Sequence, residues 1–98
     1  MKRAIVLSPD ALRQFRSLRA KDRSRLRDAM YATLSEDDAT VEARNRFRLR
    51  RPSEFAAFEL RVDDLRVFYR VAGKRVQVVL IGRKKGNHLA INGKRFTL

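Results

Sequence analysis

The sequence predicts a small α+β fold. An N-terminal strand leads into an antiparallel two-helix hairpin, which packs on one face of a mainly antiparallel sheet, in the order β-α-α-β-β-β. Three observations carry this. Ser8-Pro9-Asp10 is a helix start placed just after a short apolar run. From Phe58 to Arg83 apolar and polar residues alternate with period two, with turns at Asp63-Asp64 and Gly73-Lys74. A chain of 98 residues, 44% hydrophobic, can bury one modest core and not two, so residues 1–98 read as a single domain.

Ala4 to Leu7 are apolar and partly β-branched and read as the first strand. Ser8 is the N-cap of the first helix, Pro9 its first helical residue and Asp10 the acid of its first turn. That helix runs to about Arg19 with Ala11, Leu12, Phe15 and Leu18 as its apolar stripe, while Arg13, Arg16 and Arg19 face water. Asp22 can cap a second helix to about Ser35, burying Leu26, Ala29, Met30 and Thr33. Glu36-Asp37-Asp38 ends the regular pattern. From Glu42 to Pro52, Arg44, Arg46, Arg48 and Arg50 alternate with Asn45, Phe47 and Leu49, and Pro52 disfavours helix at Arg51. This reads as an extended basic arm with its arginines on one side.

The meander that follows has two unlike faces. Phe58, Leu60, Val62, Leu65, Val67, Tyr69, Val71, Val76, Val78 and Leu80 form an apolar layer for the helices. Glu59, Arg61, Arg66, Phe68, Arg70, Gln77, Val79, Ile81 and Arg83 fall on the other face. There Arg61 stands opposite Arg66, and like charges facing each other across a strand pair are destabilising. Such a pair is expected where an anion binds. After Arg83 come Lys84 and Lys85, a turn at Gly86-Asn87 and a hairpin signal at Asn92-Gly93. Residues 84–98 read either as a hairpin that extends the sheet or as a segment ordered only by a partner.

Net charge is +13 and the isoelectric point about 11.5, which points to nucleic acid, an acidic protein or anionic lipid as partner. There are no cysteines and one histidine, so disulfides, thiolate zinc sites and multi-histidine metal sites are excluded. No stretch is apolar and long enough to span a bilayer, and MKRAIVLSPD is too short in its apolar run for a signal peptide. A reducing cytoplasm is the expected location.

Leu60-Arg61, Leu65-Arg66-Val67-Phe68-Tyr69 and Gly82-Arg83-Lys84, in this order and spacing, resemble the core of the RelE/ParE superfamily of bacterial type II toxins. The helical hairpin and basic arm agree, so the likeness covers nearly the whole chain. The resemblance implies a cognate antitoxin, acidic and carrying an amphipathic helix, and one of two activities. RelE-like members cleave mRNA on the ribosome without metal or other cofactor. ParE-like members inhibit DNA gyrase and are not nucleases.

For cleavage, the ribose 2′-OH attacks the adjacent phosphate, which needs a base, an acid and cations around the developing charge. The resemblance would place Arg61, Arg66, Arg83 and Lys84 at that charge, with Glu59 or His88 handling protons. Arg44, Arg46, Arg48, Arg50, Arg70 and Lys85 would contact RNA, and Phe68 either stacks on a base or packs beneath Val79, Ile81 and the tail hairpin. Two elements of the family's nuclease pattern are missing. Ala90 stands where many members have a tyrosine, and Ala57 and Glu59 stand where they have lysines.

Overall fold

The computed structural model describes residues 2–50, 56–86, 88–91 and 94–96, and at His88, Ile91 and residues 94–96 the backbone alone. The elements are β1 (Ala4–Leu7), α1 (Pro9–Ser17), α2 (Ala20–Met30), β2 (Arg46–Arg48), β3 (Phe58–Val62), β4 (Leu65–Ala72), β5 (Arg75–Lys85), β6 (His88–Ile91) and β7 (Lys94–Phe96). A π turn over Tyr31–Ser35 extends α2. The sheet runs β2-β3-β4-β5-β6-β7, antiparallel throughout, and β1 adds in parallel to β5. The α+β arrangement expected from the sequence is therefore present. The tail takes the hairpin option, with Leu89 paired to Phe96 and Ile91 to Lys94. Pro52, Asn87, the Asn92-Gly93 turn and Leu98 lie outside the described residues.

Local chemistry sets the helices. The Ser8 hydroxyl accepts from the Ala11 amide at 3.0 Å, as an N-cap should. The second helix starts three residues earlier than a cap at Asp22 would put it. Arg19 occupies the N-cap position with no side-chain hydrogen bond, and Asp22 instead sits in the first turn. Arg23 closes the hairpin by donating to the Leu18 carbonyl at the end of α1.

One residue changes the reading of the sheet. Phe68 pairs with Leu80 but Tyr69 pairs with Val78, so Val79 is an extra residue in β5. Beyond this bulge the alternation of β5 is inverted. Ile81 joins the helix-side core at 2% exposure, and Leu80 pairs with open-face Phe68. Strict alternation assigned these two the other way round. The same slip puts Arg83 opposite Leu65, on the side of the helices, and leaves Gly82 opposite Arg66.

The helix-side core joins Ala11 of α1 and Leu26, Met30 and Leu34 of the second helix and its π turn to Phe58, Leu60, Leu65, Val67, Tyr69, Val76, Val78 and Ile81 of the sheet. Tyr69 stacks on Phe58 with ring centroids 5.3 Å apart, and its hydroxyl donates to the Ala39 carbonyl at 2.8 Å. On the flank of β5 away from β4, β1 covers residues 75–78 and β6 covers 83–85. The gap between them is closed by α1. Ser8 donates through its hydroxyl to the Val79 carbonyl (3.0 Å), and the Gln14 side chain accepts from the Ile81 amide (2.7 Å).

The acidic cluster fastens the chain before β2. Lys2 pairs with Glu36, Arg3 with Asp38 (2.9 Å) and Arg46 with Asp37 (3.1 Å). Hydrogen bonds from Thr40, then from Arg3, hold Asp38 down at about 2.

Candidate nucleic-acid interface

Arg61 and Arg66 occupy the register expected, directly opposite each other on the β3–β4 hairpin. Asp63 makes the turn with φ 53, a left-handed conformation that aspartate tolerates. The open-face row beside the pair is Phe47–Glu59–Phe68–Leu80, read across β2 to β5. Arg61 is held from two sides. Its Nε donates to Glu59 at 2.5 Å, and its guanidinium lies 4.3 Å from the centre of the Phe47 ring. Arg66 leans along the turn, donating to the carbonyls of Asp63 (2.7 Å) and Leu65 (2.9 Å).

Both arginines line one cleft of about 440 Å³. It opens beside the start of β2 and the end of β3, where the Arg61 amide donates to the Asn45 carbonyl at 2.8 Å. Ala29 and Thr33 of the second helix and Asn45 form its far wall. Lys84 is exposed two residues beyond Gly82, so alternation puts it on the open face next to Arg66. Arg61, Arg66 and Lys84 therefore make a cationic track across β3, β4 and β5. Two guanidiniums at an open cleft, with the Lys84 ammonium beside them on the sheet, suit a phosphate, with bidentate contact available from either arginine.

Other residues singled out from the sequence are placed elsewhere. Arg83 is bound on the helix side to Asp22 (2.9 Å) and to Asp64. The Asp64 hydrogen bond raises the Arg83 pKa further, and the Arg83 hydrogen bond holds the Asp22 carboxyl below its usual range. Arg83 thus joins α2 to the β3–β4 turn and does not join the open-face track. Glu59 and His88 are not a pair. Glu59 is level with Leu80 across the sheet and His88 is opposite Lys85, three strands over. Strand spacing and rise put the two backbone positions roughly 20 Å apart. Phe68 is 2% exposed, so it packs and offers no face for a base.

The basic arm is also divided. Arg46 and Arg48 stand opposite Leu60 and Phe58, on the core side, and Phe47 takes the open face. Arg46 is 4% exposed and donates to the Thr33 carbonyl at 2.5 Å, inside the π turn. It is an internal strut and not an RNA contact. Arg48 is exposed with its guanidinium 5.0 Å from the Phe58 ring, and Arg44 and Arg50 are exposed. Arg70 is exposed and donates to Gln77, and Lys85 is exposed at the end of β5.

Two working residues escaped the sequence reading. Gln14 lies in the apolar stripe of α1, and a polar residue in that stripe is the signal that a buried backbone group needs it. Phe47 stands in the sequence only as one of the residues that alternate with the arginines of the arm, and its role as a platform for Arg61 appears only with the β2–β3 register.

A chain of the toxin–antitoxin complex RelBE2 from Mycobacterium tuberculosis superposes with a TM-score of 0.70 at 17% sequence identity, covering 86% of this chain and 100% of that one. This chain therefore shares the fold of that chain. No family model matches the sequence, and no curated protein matches it. The register sets Arg61 and Arg66 on the open face of the sheet, and both side chains also line the cleft at its β3 edge, which the second helix walls through Ala29 and Thr33. No helix among the described residues is long and apolar enough to cross a membrane.

Proposed function

We propose that this chain is the toxin of a type II toxin–antitoxin pair and acts in the cytoplasm as a metal-free endoribonuclease on translated mRNA. The observation that carries the reading is the directly opposed Arg61–Arg66 pair at an open cleft of a RelE-type fold. Folding alone gives no reason to face two arginines across a strand pair, and a phosphodiester bridging them does. Glu59, 2.5 Å from Arg61, is a base within reach of that position. The partner is an acidic antitoxin that neutralises part of the +13 charge.

A second reading, a ParE-like gyrase inhibitor of the same fold, has one observation in its favour. Among the described side chains no tyrosine stands beside Arg61 and Arg66 to serve the leaving oxygen. Tyr69 is buried in the core and Tyr31 lies on the second helix.

The test is transcript-end mapping after induction in a bacterial host. Cuts in phase with codons, lost in Arg66→Ala, are the expected result. Intact mRNA with double-strand DNA breaks selects the gyrase inhibitor. Harmless induction, with no acidic partner encoded beside the gene, overturns both.

A further inference from the structure

The densest unneutralised charge lies on the helices, on the other side of the sheet from Arg61 and Arg66. Between Arg13 and Arg27 the sequence places Arg16, Arg19, Lys21, Arg23 and Arg25 against one acid, Asp22. Packing occupies part of this charge. Arg23 caps α1, and Arg25 is shared by Asp22 (2.7 Å) and Asp63 (2.6 Å). Arg13 pairs with Asp10. Arg16, Arg19 and Lys21 remain, on the last turn of α1, the connection and the first turn of α2. All three are exposed, and among the described residues none makes an ion pair.

Beside them opens a cavity of about 240 Å³, set against the gap on the flank of β5. Gln14 and Ser17 of α1, Arg19, Asp22, Arg83 and Lys85 line it. Lys85 is exposed and likewise makes no ion pair among the described residues. Arg19 and Lys85 share this cavity, Arg16 and Lys21 flank Arg19 on the two helix ends, and mutual repulsion within such a group is relieved by a polyanion.

We propose that this corner, Arg16, Arg19 and Lys21 with Lys85, is a docking surface for the phosphate backbone of double-helical RNA. The chemistry argues for phosphate alone. Among the described residues the exposed large hydrophobics are Val6, Tyr31 and Val41, and none lies at the corner; the apolar lining of the cavity is Leu18, Ile81 and Ala90, of which Ile81 and Ala90 are buried, so the apolar face of an amphipathic acidic peptide finds little more than Leu18 there. Among the described residues no aromatic side chain lines the cavity, and Phe15 packs against the core, so a single strand finds no stacking platform in them. Cations spread over two helix ends match successive phosphates of a duplex and read no bases. The choice of RNA over DNA rests on the proposed function. The dependence on phosphate does not.

The experiment is fluorescence anisotropy of the full chain with a labelled 20-base-pair RNA duplex between 50 and 200 mM KCl. The Arg16→Gln/Arg19→Gln/Lys21→Gln variant should bind at least about tenfold more weakly at low salt. Its slope of log affinity against log salt should be shallower by about 2 to 3, and Lys85→Gln shallower by about 1. A thermal melt of the triple variant at or above the wild-type midpoint verifies that it folds. A wild-type slope in the folded triple variant overturns the proposal. So does tighter binding of the wild type to a DNA duplex of the same sequence, or a larger loss of binding to an acidic Glu/Leu helical peptide than to RNA. Toxicity of Arg66→Ala is scored separately. A harmless Arg66→Ala beside an unchanged salt slope in the triple variant keeps the proposed function and removes the corner. A toxic Arg66→Ala beside a shallower slope does the reverse.

Discussion

Tyr69→Phe removes one buried oxygen and little else. The ring keeps its volume and its stack on Phe58. The Ala39 carbonyl, in a residue that is itself 0% exposed, loses the hydroxyl that donates to it at 2.8 Å. Leaving a buried acceptor unpaired costs about 1–3 kcal/mol. At about 2 kcal/mol the melting temperature of a chain this size falls by about 8–16 °C. The pH dependence gives a second reading of the same hydroxyl. Burial pushes the Tyr69 pKa from 10.0 up to about 12.

A group whose folded pKa is raised contributes stability that is fully present below the unfolded value and is lost as pH rises towards the folded one. Below pH 10 the phenol is neutral in both states and stability does not depend on it. Between pH 10 and about 12 the unfolded chain gives up the proton and the folded chain keeps it, so stability falls by up to roughly 1.4 kcal/mol per pH unit. The wild type therefore exceeds the variant by about 2 kcal/mol at pH 7, and the difference closes above pH 10. Urea denaturation of both proteins, followed by circular dichroism from pH 7 to 11.5, measures it, and lysines cancel in the difference. A gap that stays constant with pH, or no gap at pH 7, refutes the reasoning.

Two further outcomes follow from the geometry of β5. Ile81→Ala should cost about 2–4 kcal/mol in urea denaturation and Leu80→Ala less than half as much, because Ile81 belongs to the core and Leu80 does not; strict alternation predicts the opposite order. Arg83→Gln should lower the melting temperature by about 5 °C, since it breaks two partly exposed ion pairs, and should leave toxicity in place. Asp22, held below its usual pKa by Arg83, contributes stability above the ordinary carboxylate range that is lost as pH falls, so this variant should also lose part of its acid sensitivity.

The meander, its two turns, the Ser8 cap and the facing of Arg61 and Arg66 were legible because each rests on local chemistry or on a period of two. The errors share a different origin. An added residue in a strand leaves no mark in composition, so Val79 went unseen and with it the exchange of Leu80 and Ile81 and the transfer of Arg83 to the helix side. The arginine arm alternated as read, but alternation does not say which set faces inward. The decision came from Asp37 and from the Thr33 carbonyl in the π turn, both of which take Arg46. Glu59 and His88 were named by chemical type, and type says nothing about the strand count that separates them.

The parallel pairing of β1 with the start of β5 has a consequence for synthesis. The first strand made is among the last to find its partner, since Ala4 to Leu7 pair with residues 75–78. While the polypeptide is being made, both helices have formed their turns before any sheet exists to take their apolar stripes. A product broken off before the second hairpin carries most of the arginines but has no closed interior to hold them in register. Harm to the host, if it depends on Arg61 meeting Arg66, therefore waits until translation of the message is nearly finished.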